Sequence, residues 1–252
     1  MKKIIFIIAI LLSVSKIFAI PDTLSNTMKK ANIAYKNGDY QKAQNLYESI
    51  LKAGYEAPEV YYNLGNTYFK EKNIAKAILN YERARKLAPK DEDIKNNLEY
   101  ANLFVKDEFN QVPEFFVDRF YNSILKMFSS NTWAVICIIS FVLSLVFMLI
   151  FFFSKIIIRR KISFFSAIIL FFISILSLNF SAQMKNYYTK PNSAIIMKIN
   201  TMKSSPEEGG TDLFILNPGV KVKIKGQSDG WYEVKLPNGK IGWLKKSDVE
   251  LI

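Results

Sequence analysis

VYYNLGNTYFKEKNIAKAILNYERARKLAP, residues 60–89, sets small and aromatic residues at fixed intervals: Tyr61, Leu64, Gly65 and Tyr68, then Ala77, Tyr81, Ala84 and a closing Pro89. The stretch is echoed 34 residues upstream. Ala31 falls on Gly65, Asn32 on Asn66, Lys36 on Lys70, Lys42 on Lys76, Ala43 on Ala77 and Tyr47 on Tyr81. Small residues let paired helices approach, and aromatic rings fill the space beside them. Gly38, in the turn Gly38-Asp39-Tyr40, is free to take the left-handed conformation that ends a helix. Pro89 stops the second unit.

A period of this length and composition resembles the tetratricopeptide repeat. The first copy departs from that pattern, with Lys30-Ala31 where a Leu-Gly pair is usual. Two such units bury too little alone, since about three are needed for stability. Asp91–Lys106 supplies the missing surface: Ile94, Leu98, Ala101, Leu103 and Val105 mark its apolar face, and Asp91 to Asp93 favour a helix start. Residues 24–106 are therefore expected to form two repeats plus a capping helix.

Further along, the charges vanish. Met127–Ser154 and Ile162–Met184 carry no charged side chain. Each exceeds the ~18 apolar residues that mark a bilayer span. Spans are expected over 132–153 and 162–184, with Trp133 and Tyr187-Tyr188 at their boundaries. The link 154–161 holds Lys155, Arg159, Arg160 and Lys161, which assigns it to the cytoplasm. Within the spans only Cys137 is ionisable, which argues against a proton or ion pathway.

Before the spans, residues 112–128 form an amphipathic juxtamembrane stretch with Phe115, Phe116, Phe120, Ile124, Leu125 and Phe128 on its stripe. It suits a helix lying in the headgroup region or one packed on the repeats. At the start, residues 1–19 read as a signal peptide with a basic Lys2-Lys3 end, cleaved after Ala19 or retained as an anchor. The expected location is a bacterial inner membrane with two spans and both soluble parts on the exported, periplasmic side.

Residues 192–252 change to alternating runs, Val220–Ile224 and Trp231–Leu236. Asn217-Pro218-Gly219, Ser228-Asp229-Gly230 and Pro237-Asn238-Gly239 read as turns between about five strands. The spacing of Gly230-Trp231 and Gly242-Trp243 resembles a bacterial SH3-like domain. The whole is thus multidomain: an α-helical tetratricopeptide repeat array, a two-helix transmembrane hairpin and a small all-β SH3-like barrel.

Composition narrows the function. Of 252 residues half are hydrophobic, none is histidine, one is cysteine, and the net charge is +12. Histidine-based triads and metal sites are excluded, as is an internal disulfide. Residues 1–20 and the 154–161 link carry +3 and +4, so much of the excess charge flanks membrane segments. That placement argues against nucleic-acid binding. No cofactor is expected, and the chain reads as a non-enzyme.

Two candidate binding surfaces remain. On the repeats, Asn32, Lys36, Asn66 and Lys70, joined by Asn63 and Asn97, are placed to hold an acidic peptide or a C-terminal carboxylate. Met28 and Tyr62 stand where such carboxylate clamps often carry lysine, and the bland alternative is a solvated helix face. On the barrel, Trp231, Tyr232 and Trp243 are candidates for a peptide or glycan groove, with Trp243 expected buried and Trp231 half exposed.

The order of segments resembles the BatE-type proteins of the Bacteroides aerotolerance operon. The likeness rests on Val112–Arg119, Ser129–Trp133, Ser204-Ser205-Pro206 through Phe214, and Gly242–Asp248. It implies an envelope protein linked to oxidative stress tolerance, with membrane proteins bearing von Willebrand A domains as partners and a MoxR-type ATPase encoded nearby. The expected function is a membrane-anchored scaffold that binds protein partners. The alternative is a peptidoglycan-binding or sensing protein acting through the SH3-like domain.

Overall fold

Helices α1 (Asp22–Lys36) and α2 (Tyr40–Lys52) form one hairpin pair, and α3 (Pro58–Lys70) and α4 (Ile74–Leu87) the next. The computed structural model describes residues 22–107, 109 and 115–252; the signal-like segment 1–19 and residues 112–114 lie outside the described residues. The chain divides between Phe104 and Val105 into two compact units.

Both pairs turn in the same way. Asp39 accepts a hydrogen bond from the Lys42 backbone N–H, and Asn73 accepts one from that of Lys76. Each cap satisfies an N–H that the first helical turn leaves unpaired. The residue before each cap is left-handed: Gly38 at φ +80° and Lys72 at φ +61°. Lysine carries a Cβ penalty there that glycine avoids.

Gly65 is where α3 and α4 come closest. A Cβ at that position would stand 2.7 Å from the Tyr81 ring carbons. Helix α5 (Glu92–Asn102) starts on Asp91, which accepts from the N–H groups of Asp93 and Ile94. Its Ile94 packs on Tyr61 and Ala84, which puts α5 against the second helix pair. The cap is shorter than expected. It ends at Asn102, Leu103 is 78% exposed, and Val105 belongs to the second unit.

The second unit holds two helices long and apolar enough to cross a membrane, α7 (Ser130–Phe153) and α8 (Ile157–Thr189). At ~1.5 Å per residue they are roughly 36 and 50 Å long, against a hydrocarbon core of ~30 Å. Only residues 154–156 of the basic link are outside a helix, and Arg159, Arg160 and Lys161 lie in the first turns of α8.

Small residues line the seam between α7 and α8. Ser140, Ser144, Ser163, Ala167, Ser174 and Ser177 are buried while the large apolar side chains face outward. Ser144 Oγ donates to the Ala167 carbonyl at 2.8 Å. Ser130 and Ser181 exchange hydroxyl-to-carbonyl bonds at 2.9 and 3.0 Å. Lipid supplies no hydrophobic force between helices, so close packing and such bonds hold the hairpin.

Helix α6 (Phe116–Leu125) docks at the end of the hairpin that carries its two chain connections. Leu125 is buried with Trp133 and Met184, Trp133 Nε1 donates to the Leu125 carbonyl at 3.1 Å, and Tyr121 meets Phe180 edge-on. Phe115, Phe116 and Phe120 stay exposed.

Seven strands follow: β1 (Ser193–Ile196), β2 (Asn200–Lys203), β3 (Asp212–Leu216), β4 (Lys221–Ser228), β5 (Trp231–Lys235), β6 (Ile241–Lys245) and β7 (Val249–Leu251). They pair antiparallel in the order β3-β2-β6-β5-β4-β1-β7. The three turns read from sequence end on Gly219, Gly230 and Gly239, all with positive φ. Ile196, Met202, Val222, Val234 and Leu244 form the centre of the core. Val105 and Phe109, from before the hairpin, pack against it. Between them Asp107 accepts two hydrogen bonds from Asn217, from its backbone N–H at 2.6 Å and its Nδ2 at 2.9 Å.

Candidate functional site

The candidate residues of the repeats come from the first helix of each pair and from the cap. Asn32 and Lys36 lie on α1, Asn63, Asn66 and Lys70 on α3, and Asn97 on α5. The structure joins the four asparagines into two matching clusters. Asn32 Oδ1 accepts from Tyr47 Oη at 2.6 Å and from Asn63 Nδ2 at 3.3 Å. Asn66 Oδ1 accepts from Tyr81 Oη at 2.7 Å and from Asn97 Nδ2 at 2.9 Å. Asn97 Nδ2 also donates to Tyr62 Oη at 2.9 Å.

These bonds divide the asparagines into two kinds. Asn97 donates both amide hydrogens internally, so it ties α5 to α3 and has no N–H left for a ligand. Asn32 and Asn66 use their oxygens inward, and among the described residues their Nδ2 groups make no hydrogen bond. Lys36 and Lys70 follow one turn later and are exposed. The face therefore offers two amide donors and two ammonium groups in a repeating arrangement, suited to carboxylates or backbone carbonyls.

The tyrosines beneath are the part that sequence reading missed. Burial pushes the Tyr47 phenol up to about 12, and it raises that of Tyr81 as well. Both hydroxyls stay protonated at neutral pH and act as fixed donors to the asparagine oxygens. The signal was present as an Asn-to-Tyr spacing of 15 that recurs in both repeats. Tyr62, which stands where a clamp often has lysine, serves as an acceptor for Asn97.

The barrel aromatics do not form the single groove expected. Register pairs Trp231 with Lys245, Tyr232 with Leu244 and Glu233 with Trp243. Leu244 and Val234 are core, so Tyr232 points to the core face, while Trp231 and Trp243 lie on the other. Burial is also reversed from expectation: Trp231 is 8% exposed and Trp243 is only half-buried. Lysines cover the rings, Lys245 Nζ lying 5.8 Å from the Trp231 centroid and Lys246 Nζ 5.1 Å from that of Tyr232. Glu208, 2.5 Å away, holds the Lys245 ammonium above its ordinary range by a hydrogen bond. Trp243 stands between Glu233 on β5 and Lys203 on β2 as the more accessible of the two tryptophans.

Two segments of the chain, one before and one after the apolar helices in sequence, match family models. No curated protein matches the chain. Residues 28–92 match the tetratricopeptide repeat, and residues 201–250 match the bacterial SH3 domain.

Proposed function

We propose that this chain is a non-catalytic, membrane-anchored scaffold whose repeat array and SH3-like barrel bind partner proteins on the exported side of a bacterial inner membrane. The observation that carries this reading is the clip formed by Val105, Asp107 and Phe109. Those residues precede the first span, and the barrel they pack on follows the second. A hairpin returns its chain to the starting side, so the clip supports two interaction modules on one membrane face. Linking modules in this way raises the effective concentration of the second contact.

The basic bend, which the positive-inside rule assigns to the cytoplasm, supports the exported placement of both modules. The amide and ammonium groups of Asn32, Asn66, Lys36 and Lys70 are the proposed contacts for an acidic peptide or C-terminus. The resemblance to BatE-type proteins makes membrane proteins with von Willebrand A domains the first partners to test, in an envelope complex linked to oxidative stress tolerance. The exposed phenylalanines of α6 fit a helix lying in the headgroup region.

The test has two arms. A reporter active only in the cytosol, fused after Ile252, is expected to stay dark; activity there overturns the topology. Crosslinking in intact cells is expected to capture membrane proteins through the repeats, and the double variant N66A/K70A is expected to lose them without unfolding. Undiminished capture by that variant removes the groove from the proposal. The accessible Trp243 favours a second reading, in which the barrel grips cell-wall peptide. Retention of the full chain on purified sacculi, abolished by Trp243→Ala, supports that reading.

A further inference from the structure

At the bend of the hairpin, Phe151 of α7 faces the first turns of α8 across a cleft of about 300 Å³. Its other lining residues are Ile157, Arg160, Lys161, Phe164 and Phe165. The Phe151 and Phe164 rings meet at 5.3 Å, and the Arg160 guanidinium lies 5.2 Å from the centroid of Phe151. That ring contact restricts where the guanidinium sits. The cleft is thus apolar-walled with two cations on its lining.

The charge here has no internal balance. Lys155, Arg159, Arg160 and Lys161 crowd the bend, while the chain holds no Asp or Glu between Asp118 and Glu207. Among the described residues none of the four forms an ion pair. Among the described residues no carboxylate offsets these four charges, which leaves them open to an external counter-charge. A soluble anion would meet the cations but gain nothing from three phenylalanines and an isoleucine. An anionic phospholipid meets both: its phosphodiester against Arg160 and Lys161, its glycerol and upper acyl carbons against the rings. Arginine adds a planar fork matched to phosphate oxygens, and lysine a point charge. The cleft lies at the low end of the roughly 300–1,000 Å³ typical of ligand pockets, enough for the headgroup region and not for whole acyl chains.

We propose that this cleft is a binding site for one anionic phospholipid, held by Arg160 and Lys161 and seated on Phe151 and Phe164. The proposal rests on the membrane-spanning reading of α7 and α8. It differs from the general attraction of a basic loop to an acidic surface, because only two of the four cations line the cleft.

The test uses the full chain, purified from membranes and exchanged into micelles carrying phosphatidylglycerol or phosphatidylcholine. Bound lipid is counted by native mass spectrometry. Phosphatidylglycerol is expected to be retained in preference to phosphatidylcholine. In R160Q/K161Q its retention is expected to fall about tenfold, and in K155Q/R159Q, which removes the same charge, by less than about twofold. Phe151→Ala is expected to weaken retention several-fold with all four cations intact. Equal losses in the two double variants overturn the proposal in favour of diffuse attraction. Displacement by excess inorganic phosphate, with Phe151→Ala silent, overturns it in favour of a simple anion site. A chain that washes out of membranes with alkaline carbonate fails the underlying reading instead, which separates the two failures.

Discussion

Helices α3 and α4 of the repeats and helices α7 and α8 of the hairpin are both pairs that meet across small residues, yet they are held together differently. In the first pair Gly65 lies under the Tyr81 ring, and the tyrosine hydroxyl finishes its hydrogen bonding on Asn66. In the second pair serines interlock and bond to one another and to backbone carbonyls, as Ser144 does to Ala167. The solvent explains the contrast. Water drives an aromatic ring into a gap between helices, because burying it removes a large apolar area. A bilayer gives no such reward, so its helices gain most from close approach and from pairing polar atoms.

That contrast can be broken most forcefully at Tyr81. Tyr81→Ala is expected to cost the repeat segment about 3–5 kcal/mol by opening a cavity. Thermal unfolding of residues 22–104 would measure it, and Tyr81→Phe would separate the loss of the hydroxyl, about 1 kcal/mol, from the loss of the ring. Gly65→Ala tests the same contact from the other side. It forces the Tyr81 ring aside at an expected cost of about 1–3 kcal/mol.

Alkali should distinguish the two pairs as well. Folding raises Tyr47 and Tyr61 from 10.0 to about 12 and raises Tyr81 also, burial being the main cause. The unfolded chain releases these protons first. Their contribution to stability is therefore intact below pH 10 and is lost as pH climbs toward 12. Repeat helicity should melt across that window in a circular-dichroism titration. A melt that ignores pH between 10 and 12 would contradict the buried placement of the phenols.

Two smaller effects sharpen the comparison. Lys72→Gly relieves a left-handed lysine and is expected to stabilise the repeats by about 1 kcal/mol, bringing the second turn to the form the first already has. Ser144→Ala removes one seam bond and should weaken the hairpin by only about 0.6 kcal/mol. Reversible unfolding of the full chain in micelles, original against variant, would measure it.

Much of this architecture was legible from residue order. The 34-residue echo, the glycine-marked turns of the barrel and the two uncharged runs all report local chemistry; the positive-φ glycines stand at the turns read from sequence, whereas the second apolar helix runs from Ile157 to Thr189, beyond the 162–184 expected. The misreadings share one cause. Leu103 and Val105 continued an apolar face, but the face ended with α5, and Val105 joined a core whose first residue is Ala194. Trp231 and Trp243 both follow a glycine, so spacing alone could not rank their burial. The asparagines of the repeats were visible as a repeating set, whereas their tethering to Tyr47, Tyr62 and Tyr81 was not.

The sequence by itself determined which segments prefer water, which prefer lipid, and where each helix or strand must turn. Those preferences come from side-chain polarity and backbone freedom, which act over a few residues. Tertiary structure alone decided which asparagine amide hydrogens were used up within the repeats, which tryptophan went under cover, and that Asp107 would reach Asn217 across 110 positions of chain. Such choices depend on which surfaces meet, and a hydrogen bond between distant residues leaves no periodic trace in the order of either segment.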